Sequence, residues 1–290
     1  MTAIVLAFIT YIGWGTGDIF GVYATRKIGA YKASALIFIF GFILASFYIP
    51  FALPDFGKIT IVLLLLNMLL GAPYLFGNLL LNEAFKRSSA SLVGIIVQCF
   101  PAVVLVLSSL IFKDTITTRQ IAWIIIIFVG IFLCTIDFTD FKKGQLFKDT
   151  GIRLALIGAG IFSIYFTFLR LFVDVYGWFW PNYIAFATFP IVLLLYKKIF
   201  KTKDTISIPS HRTVLIATFL STLLLRSGDI ALNYGVASGF ASTVSPIAGA
   251  SPTLFLTLST LIFRDPVTKQ QKIGIGVCLI GILLLSFFSV

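Results

Sequence analysis

Charged residues are scarce in this sequence, where Asp, Glu, Lys and Arg together make up 11% of 290 residues. A soluble domain carries about 25% charged residues, so the composition excludes an ordinary water-soluble fold. Hydrophobic residues account for 59% of the chain, and the mean hydropathy is +1.06. This balance is typical of a protein that crosses a membrane many times.

Histidine and cysteine are also rare. The one histidine, His211, lies in a basic loop, and the three cysteines lie within apolar runs. An odd number of cysteines in apolar runs gives neither a disulfide framework nor a metal-ligand spacing. The apolar runs also contain no Ser–His pair and no His/Glu metal pattern. We therefore predict no cofactor and no metal site, and we disfavour an intramembrane enzyme.

Ten apolar segments fill most of the chain, each about 20 residues long, which is the length that a helix needs to cross a bilayer. Backbone groups in hydrocarbon must be paired within their segment, so these runs are predicted to be helices. The predicted spans are 3–24, 33–53, 59–82, 89–112, 119–137, 151–172, 180–200, 213–234, 241–263 and 272–289. The first run has no basic region before it, which predicts a retained membrane helix and not a cleaved signal peptide.

The sequence repeats itself at an offset of 151 residues, with 77–133 matching 228–284. Polar, glycine and proline identities carry the repeat, because apolar identities could reflect composition alone. The matched pairs include Gly77 and Gly228, Asn82 and Asn233, Pro101 and Pro252, Asp114 and Asp265, Thr117 and Thr268, Gln120 and Gln271, and Gly130 and Gly281. A period of half the chain predicts a duplication. The predicted units are 1–137 and 151–290, joined by a linker at 138–150.

Basic residues are concentrated on one predicted side of the membrane, which we call the basic face. It carries Arg26, Lys27, Lys32, Lys86, Arg87, Lys142, Lys143, Lys148, Arg153, Lys197, Lys198, Lys201, Lys203, Arg212, Arg264, Lys269 and Lys272. The other side carries only Lys58, Lys113 and Arg119. The positive-inside rule predicts that the basic face, including the linker, is cytoplasmic and that both termini lie outside an inner membrane. It also accounts for the net charge of +11 without a nucleic-acid partner.

Each predicted unit has five spans, and five is an odd number. The two units must therefore enter the membrane in opposite orientations. We predict an all-α membrane protein of ten transmembrane helices, built as two inverted five-helix repeats, which is a plan found in many secondary transporters.

Several short motifs resemble those of a known family. The first repeat has Ala84-Phe85, Ser89-Ala90-Ser91, Pro101, Phe112-Lys113-Asp114, Thr117, Gln120 and Gly130. The second repeat has Ala241-Ser242, Pro252, Phe263-Arg264-Asp265, Thr268, Gln271 and Gly281, and the first span has Trp14-Gly15-Thr16. These motifs are similar to those of the drug/metabolite transporter superfamily, in particular its ten-helix EamA-type members. The resemblance implies a transporter, with substrates that range from amino acids and amines to sugars and nucleotide conjugates.

The sequence departs from that family in three respects. Asp114 and Asp265 stand where the family usually has Glu, and Asp18 occupies a position that is more often neutral. The family commonly places its termini in the cytoplasm, whereas the basic residues of this chain predict that they lie outside.

Three charged residues are predicted to lie at membrane depth. Asp18 lies within the first span, where an ionised carboxylate costs about 2.5–3.5 kcal/mol on insertion scales. It marks a proton or amine site, or else it pairs with Arg26 or Lys27. Arg226 and Asp229 lie three residues apart in the eighth span and can pair on one helix face. Such a pair faces the interior of a bundle, so it marks a cavity in either case.

Two polar stripes, related by the repeat, are predicted to meet near the axis between the two units. One consists of Thr222, Arg226, Asp229 and Asn233, and the other of Tyr74, Asn78 and Asn82. Asn78 aligns with Asp229. Inverted-repeat transporters place their binding sites at such an axis. The alternative is that these groups only hold helices together, at about 0.6 kcal/mol for each hydrogen bond. Trp14, Gln98 and Tyr165 are further candidates for the cavity wall.

Three prolines are predicted to be hinges, and two aspartates are predicted to cap helices. Pro101, Pro246 and Pro252 interrupt the hydrogen bonding of the fourth and ninth spans, so they are predicted to be hinges. Asp114 and Asp265 follow those spans, and we expect them to cap the helices that come next.

These observations predict a secondary active transporter that moves a small polar organic metabolite by alternating access. The mixed charge favours an amino acid, an amine or a related zwitterion. The predicted substrate-binding residues are Trp14, Asp18, Tyr74, Asn78, Gln98, Tyr165, Arg226, Asp229 and Asn233. Asp18 and Asp229 are the candidates for proton coupling, since burial favours the protonated carboxyl. The alternatives are a carrier for a larger anion, such as a nucleotide or sugar conjugate, a channel, or an intramembrane enzyme.

Overall fold

The computed structural model of the chain describes residues 2–113, 115–135, 149–237 and 247–288. All regular secondary structure in these ranges is helical. The first half contains α1 (Thr2–Ile28), α2 (Ala30–Ser46), α3 (Ile49–Phe56), α4 (Ile61–Arg87), α5 (Ala90–Gln98), α6 (Phe100–Phe112) and α7 (Thr118–Thr135). The second half contains α8 (Thr150–Tyr176), α9 (Phe179–Ala187), α10 (Phe189–Phe200), α11 (Arg212–Ala237), α12 (Ser251–Phe263) and α13 (Lys269–Phe288).

These helices supply ten membrane spans. In the described part of the chain, five are long and apolar enough to cross a bilayer: Ile4–Ile28, Ile61–Arg87, Ala90–Phe112, Thr150–Tyr176 and Arg212–Gly235. Two bent pairs, α2 with α3 and α9 with α10, raise the number to seven. The shorter apolar helices Thr118–Cys134 and Ile247–Phe263, together with α13, complete the ten. The predicted all-α class is confirmed.

The second and seventh spans are not single helices, so the prediction of unbroken spans at 33–53 and 180–200 was wrong. α2 and α3 meet at 74°, and α9 and α10 meet at 45°. Pro50 and Pro190 stand in the first turns of α3 and α10. Because proline has no N–H to donate and its ring clashes with the preceding turn, a helix tends to break before it. The apolar run continues through each break and conceals it from hydropathy.

The fourth and ninth spans break at positions related by the repeat. Cys99 separates α5 from α6 with φ −81° and ψ −4°, and Ala250 precedes α12 with φ −82° and ψ −5°. Pro101 and Pro252 stand at the beginning of the segment that follows each break. Pro246 lies outside the described residues. Movement at these two breaks stays a prediction.

The two repeats lie in opposite orientations. The Ser88 hydroxyl donates to Asp149, which caps the start of α8 (2.7 Å), and the Ser88 carbonyl accepts from Arg26 in the last turn of α1 (3.3 Å). The first helix of one repeat therefore ends where the first helix of the other begins. α1 packs along α11, and α4 packs along α8, so the first helix of each repeat crosses the third span of the other.

The last helices of the two repeats, α7 and α13, cross at a pair of glycines. A Cβ on Gly130 would lie 2.6 Å from the backbone nitrogen of Cys278. A Cβ on Gly281 would lie 3.1 Å from the backbone nitrogen of Ile127. Small residues let helix backbones approach closely in a membrane, which explains the repeated glycine.

The capping prediction for Asp265 was wrong. α7 is capped by a reciprocal pair, in which Thr117 N donates to Gln120 Oε1 (2.8 Å) and Gln120 N donates to Thr117 Oγ1 (3.3 Å). The repeat-related Thr and Gln cap α13 in the same way, at 3.0 and 3.2 Å. Asp265 instead accepts from Ala90 N at the start of α5 (2.8 Å), in the other repeat. Asp114 lies outside the described residues.

Candidate functional site

A cavity of about 530 Å³ lies within the helix bundle, and we call it the main lobe. Its polar wall consists of Trp14, Tyr74, Asn182, Asp229 and Asn233. Its apolar wall includes Phe100, Val104, Leu105, Phe166, Leu169 and Leu232. The lining residues of α6, α8 and α11 belong to the parts of these spans that lie away from the basic face. The main lobe therefore lies toward the opposite face.

A second cavity of about 170 Å³ adjoins the main lobe, and we call it the aromatic lobe. Its aromatic lining consists of Tyr48, Trp178, Phe179, Tyr183 and Phe186. Asn182, Asp229 and Asn233 line both lobes. A polar ridge therefore separates a larger apolar space from a smaller aromatic one.

Asp229 is the charged group of the ridge and has two polar partners. Its Oδ2 lies 2.8 Å from Nη1 of Arg226, and its Oδ1 accepts from Nε1 of Trp14 (2.9 Å). The side chains of Arg226 and Asp229 are 20% and 31% exposed, so the ion pair is largely shielded from solvent but remains accessible from the cavity. The guanidinium carbon also lies 4.2 Å from the centroid of Phe186. The structure thus brings together Trp14, Arg226, Asp229 and Asn233, as the sequence predicted.

Asp18 is placed differently from Asp229, the other acidic residue predicted at the site. It lies one turn after Trp14 in α1 and is half-buried. Within the described residues it has no hydrogen bond and no ion pair, although its charge interacts with that of Asp229. The predicted alternative of pairing with Arg26 or Lys27 is wrong, because Arg26 pairs with Asp265 and Lys27 lies over the ring of Tyr23. Asp18 is not on the wall of either lobe, so it places a carboxyl group beside the ridge and does not line the cavity.

The repeat-related stripe is neutral and only partly lines the cavity. Tyr74 lies on the wall of the main lobe and stacks on Tyr165, with ring centroids 4.2 Å apart. Tyr165 is buried, and its hydroxyl donates to Asn182 at 3.4 Å. Asn78 donates to the carbonyl of Tyr74 in its own helix (3.1 Å) and lines neither lobe. Asn82 binds Thr25 and Ser34, which are on two other helices, so it holds helices together.

The remaining predicted residues, Gln98, Pro101 and Pro252, have different positions relative to the main lobe. Gln98 lines a small cavity of about 70 Å³, which shares Trp14 and Pro101 with the main lobe. Pro101 lies on the wall of the main lobe, and Pro252 is buried at the start of α12. Gln98 therefore lines a small neighbouring cavity and not the main lobe.

The repeat seen in the sequence and in the fold is also found by comparison with known families. A profile of the EamA-like transporter family matches residues 1–136 and, separately, residues 149–287. The chain belongs to the EamA-like transporter family. This EamA-like protein is thus a multi-pass membrane protein of a transporter family, and its two lobes lie among its membrane spans.

One solved structure and one sequence relative of this EamA-like transporter add to the comparison. A solved crystal structure matches 99% of this chain and 97% of its own, with a TM-score of 0.65 and 13% sequence identity, which supports the fold alone. An uncharacterised protein of Methanocaldococcus jannaschii is 30% identical over 141 residues, covering 48% of this chain and 97% of the relative. That relative has about the length of one repeat.

The aromatic lobe of this EamA-like transporter contains residues that the sequence analysis missed. Trp178 and Trp180 lie at a span boundary, a position that predicts interface anchors. Trp178 instead lines the aromatic lobe, and Trp180 is buried and donates to the Ala52 carbonyl (2.9 Å). Asn182 lines both lobes, and the signal for it was present, because it is an amide within an apolar run, like Asn78.

Proposed function

We propose that this protein is a secondary active transporter for a small organic metabolite with an amine, such as an amino acid or a related zwitterion. It works by alternating access, with proton coupling. The supporting observation is the charge beside the lobes. Two carboxyl groups, those of Asp18 and Asp229, lie beside the lobes, and the guanidinium of Arg226 is paired with only one of them, that of Asp229.

The surplus carboxylate gives the coupling a physical basis. An ionised carboxylate at membrane depth is costly unless a partner compensates it. Asp229 has Arg226 and Trp14 as partners, whereas Asp18 has neither a hydrogen bond nor an ion pair within the described residues. A proton or a substrate ammonium would each neutralise this excess. If only one can be present at a time, proton release is coupled to substrate binding.

The lobes fit an amphiphilic molecule of this class. Aromatic rings such as those of the aromatic lobe attract cations through their faces. The main lobe offers apolar surface to the body of the substrate, and the ridge amides orient its polar groups. Arg226 is already paired with Asp229, so the site favours an amine over a larger anion, whose charge would have to displace that pair.

Two measurements on the purified protein test this proposal. A thermal-shift screen would compare amines, amino acids, sugars and nucleotides, and we expect amine-bearing compounds to stabilise the protein, because a ligand stabilises the state that it binds. Uptake into proteoliposomes should saturate with substrate and depend on the pH gradient. Stabilisation by nucleotides or sugar conjugates alone would reject the substrate class, and flux that never saturates would indicate a channel. The control variant is Asp55→Asn, which removes a carboxylate from an exposed pair with Lys58 and should change neither ligand stabilisation nor uptake.

A further inference from the structure

A cluster of contacts on the basic face joins the two repeats at a distance from both lobes. Arg26, in the last turn of α1, donates from Nη1 to Asp265 Oδ1 (3.0 Å) and from Nη2 to Asp265 Oδ2 (2.7 Å). Its guanidinium carbon also lies 4.7 Å from the ring centroid of Phe263, the last residue of α12. A guanidinium that binds a carboxylate through two parallel hydrogen bonds fixes both position and orientation. The end of α1 is thereby fixed to the end of α12.

The same two side chains also contact the end of α4 and the start of α5. Arg26 donates from Nε to the Phe85 carbonyl (3.2 Å) and from Nη2 to the Ser88 carbonyl (3.3 Å), at and just after the end of α4. Asp265 accepts from Ala90 N and so caps α5. The side chains of Arg26 and Asp265 are 27% and 18% exposed, so salt screens their attraction less than that of a surface pair.

α5 and α12 pack closely next to this pair. The hydroxyl oxygens of Ser91 and Ser259 lie 2.9 Å apart, and both residues are buried. A Cβ on Gly94 would lie 2.0 Å from Phe255, so α5 and α12 leave no room for a side chain there. The bundle is therefore closed between the basic face and the main lobe along this contact.

An arginine and a phenylalanine also meet on the opposite face, although only the phenylalanine is related to that of the basic face by the repeat offset. Arg170 of α8 lies with its guanidinium carbon 3.8 Å from the ring centroid of Phe112, the last residue of α6. Phe112 and Phe263 are related by the 151-residue offset. In both cases an arginine from the first helix of one repeat stacks on the phenylalanine that ends the fourth span of the other repeat. The two faces thus share one type of contact.

We propose that Arg26, Phe263 and Asp265 form a latch that keeps the basic face closed, and that this latch must open before the cavity can be reached from that side. The inference rests on the proposed function, because a latch of this kind requires two alternating states. Opening breaks the bidentate pair, frees Ala90 N and separates α5 from α12 at the contact between Ser91 and Ser259.

The first test measures opening without measuring transport. Ser91→Cys, or Ser259→Cys if the first variant folds poorly, places a thiol at the closed contact. Labelling of proteoliposomes with a membrane-impermeant maleimide, from each side in turn, reports its accessibility, and the unsubstituted protein provides the background from its buried cysteines. Adding Asp265→Asn keeps an oxygen for Ala90 N but removes the ion pair. Labelling from the basic side should then be faster by about fivefold or more.

The control for that test is Asp55→Asn, which breaks the exposed pair with Lys58 and should leave labelling unchanged. Arg26→Lys keeps the charge but loses the two-pronged geometry, so it should give an intermediate increase. Equal labelling rates for Asp265→Asn and for its parent would overturn the latch.

The second test closes the latch permanently. Oxidation of a Ser91→Cys/Ser259→Cys double variant should join α5 to α12, abolish transport, and leave ligand-induced thermal stabilisation intact. Reduction should restore transport, and each single variant should tolerate oxidation. Undiminished transport by the oxidised double variant would contradict the proposal. If the unsubstituted protein transports nothing, the proposed function fails, whereas the labelling experiment still decides whether the latch opens.

Discussion

The crossing of α1 with α11 and the crossing of α4 with α8 have the same place in the inverted repeat but carry different chemistry. Trp14 and Asp229 occupy the first crossing, and their repeat counterparts, Tyr165 and Asn78, occupy the second. The first crossing also holds Asp18 and Arg226, whereas their repeat counterparts in the second, Leu169 and Leu75, are apolar. The two repeats therefore share the same helix packing but differ in their charged residues at the crossing. The two sides of the axis therefore differ, with charged side chains at one crossing and stacked tyrosine rings at the other.

The largest effect should come from Asp229→Asn, which leaves Arg226 without its carboxylate. Breaking a buried ion pair costs about 3–5 kcal/mol, and the partial exposure of this pair points to the lower end of that range. We expect a clear loss of stability in detergent unfolding and a loss of transport. The double variant Arg226→Met/Asp229→Asn should recover stability but not transport. A stable single variant would show that the charged crossing does not depend on this pair.

A second large effect, on coupling and not on stability, should come from Asp18→Asn. This change removes a charge without a hydrogen bond or ion pair in the described residues, so the protein should be as stable as before or more stable. Transport should no longer respond to a pH gradient, as measured by uptake at two imposed gradients. Coupling that persists in Asp18→Asn would shift the proton-binding role to Asp229, and coupling that persists in both Asp variants would reject both candidates.

A smaller effect should come from Trp14→Phe, which removes the hydrogen bond to Asp229 (2.9 Å) but keeps an aromatic ring. Hydrogen bonds to charged groups contribute about 1.5–3 kcal/mol. We expect unfolding measurements to show a loss within this range and uptake to show weaker substrate binding. If the loss vanishes in an Asp229→Ala background, which has no side-chain oxygen to accept this bond, the two residues act through this one bond.

The smallest effect should come from Tyr165→Phe, the same kind of change at the repeat-related position. The Tyr165 hydroxyl makes a long bond of 3.4 Å to Asn182, and the ring stack on Tyr74 is retained. The expected loss is at most about 0.5 kcal/mol, the low end of the range for a neutral hydrogen bond. A loss as large as that of Trp14→Phe would mean that the two crossings are energetically equivalent, contrary to their charges.

The repeat made much of the fold predictable from the sequence. The matched prolines, the Thr–Gln caps of α7 and α13, and Gly130 with Gly281 all lie where the 151-residue offset puts them. Helix periodicity correctly grouped Arg226, Asp229 and Asn233 on one wall.

Other features depend on tertiary contacts, which the periodicity of the sequence does not reveal. Asn78 satisfies its amide on its own helix, so a polar residue within an apolar run does not by itself mark a cavity. Asp265 was expected to cap a neighbouring helix, but its partner Arg26 lies 239 residues away in sequence. The bends before Pro50 and Pro190 lie inside continuous apolar runs, so the proline was the only local signal.

The glycine crossing of α7 and α13 constrains how the two halves of this chain can evolve. At each glycine the nearest neighbours include backbone nitrogen of the opposite helix, which cannot be replaced by a smaller group. A larger residue at Gly130 would therefore have to be accommodated by a shift of the helix that carries Gly281, and the reverse is also true. Although the copies have drifted apart in charge, each one still limits which mutations the other can accept.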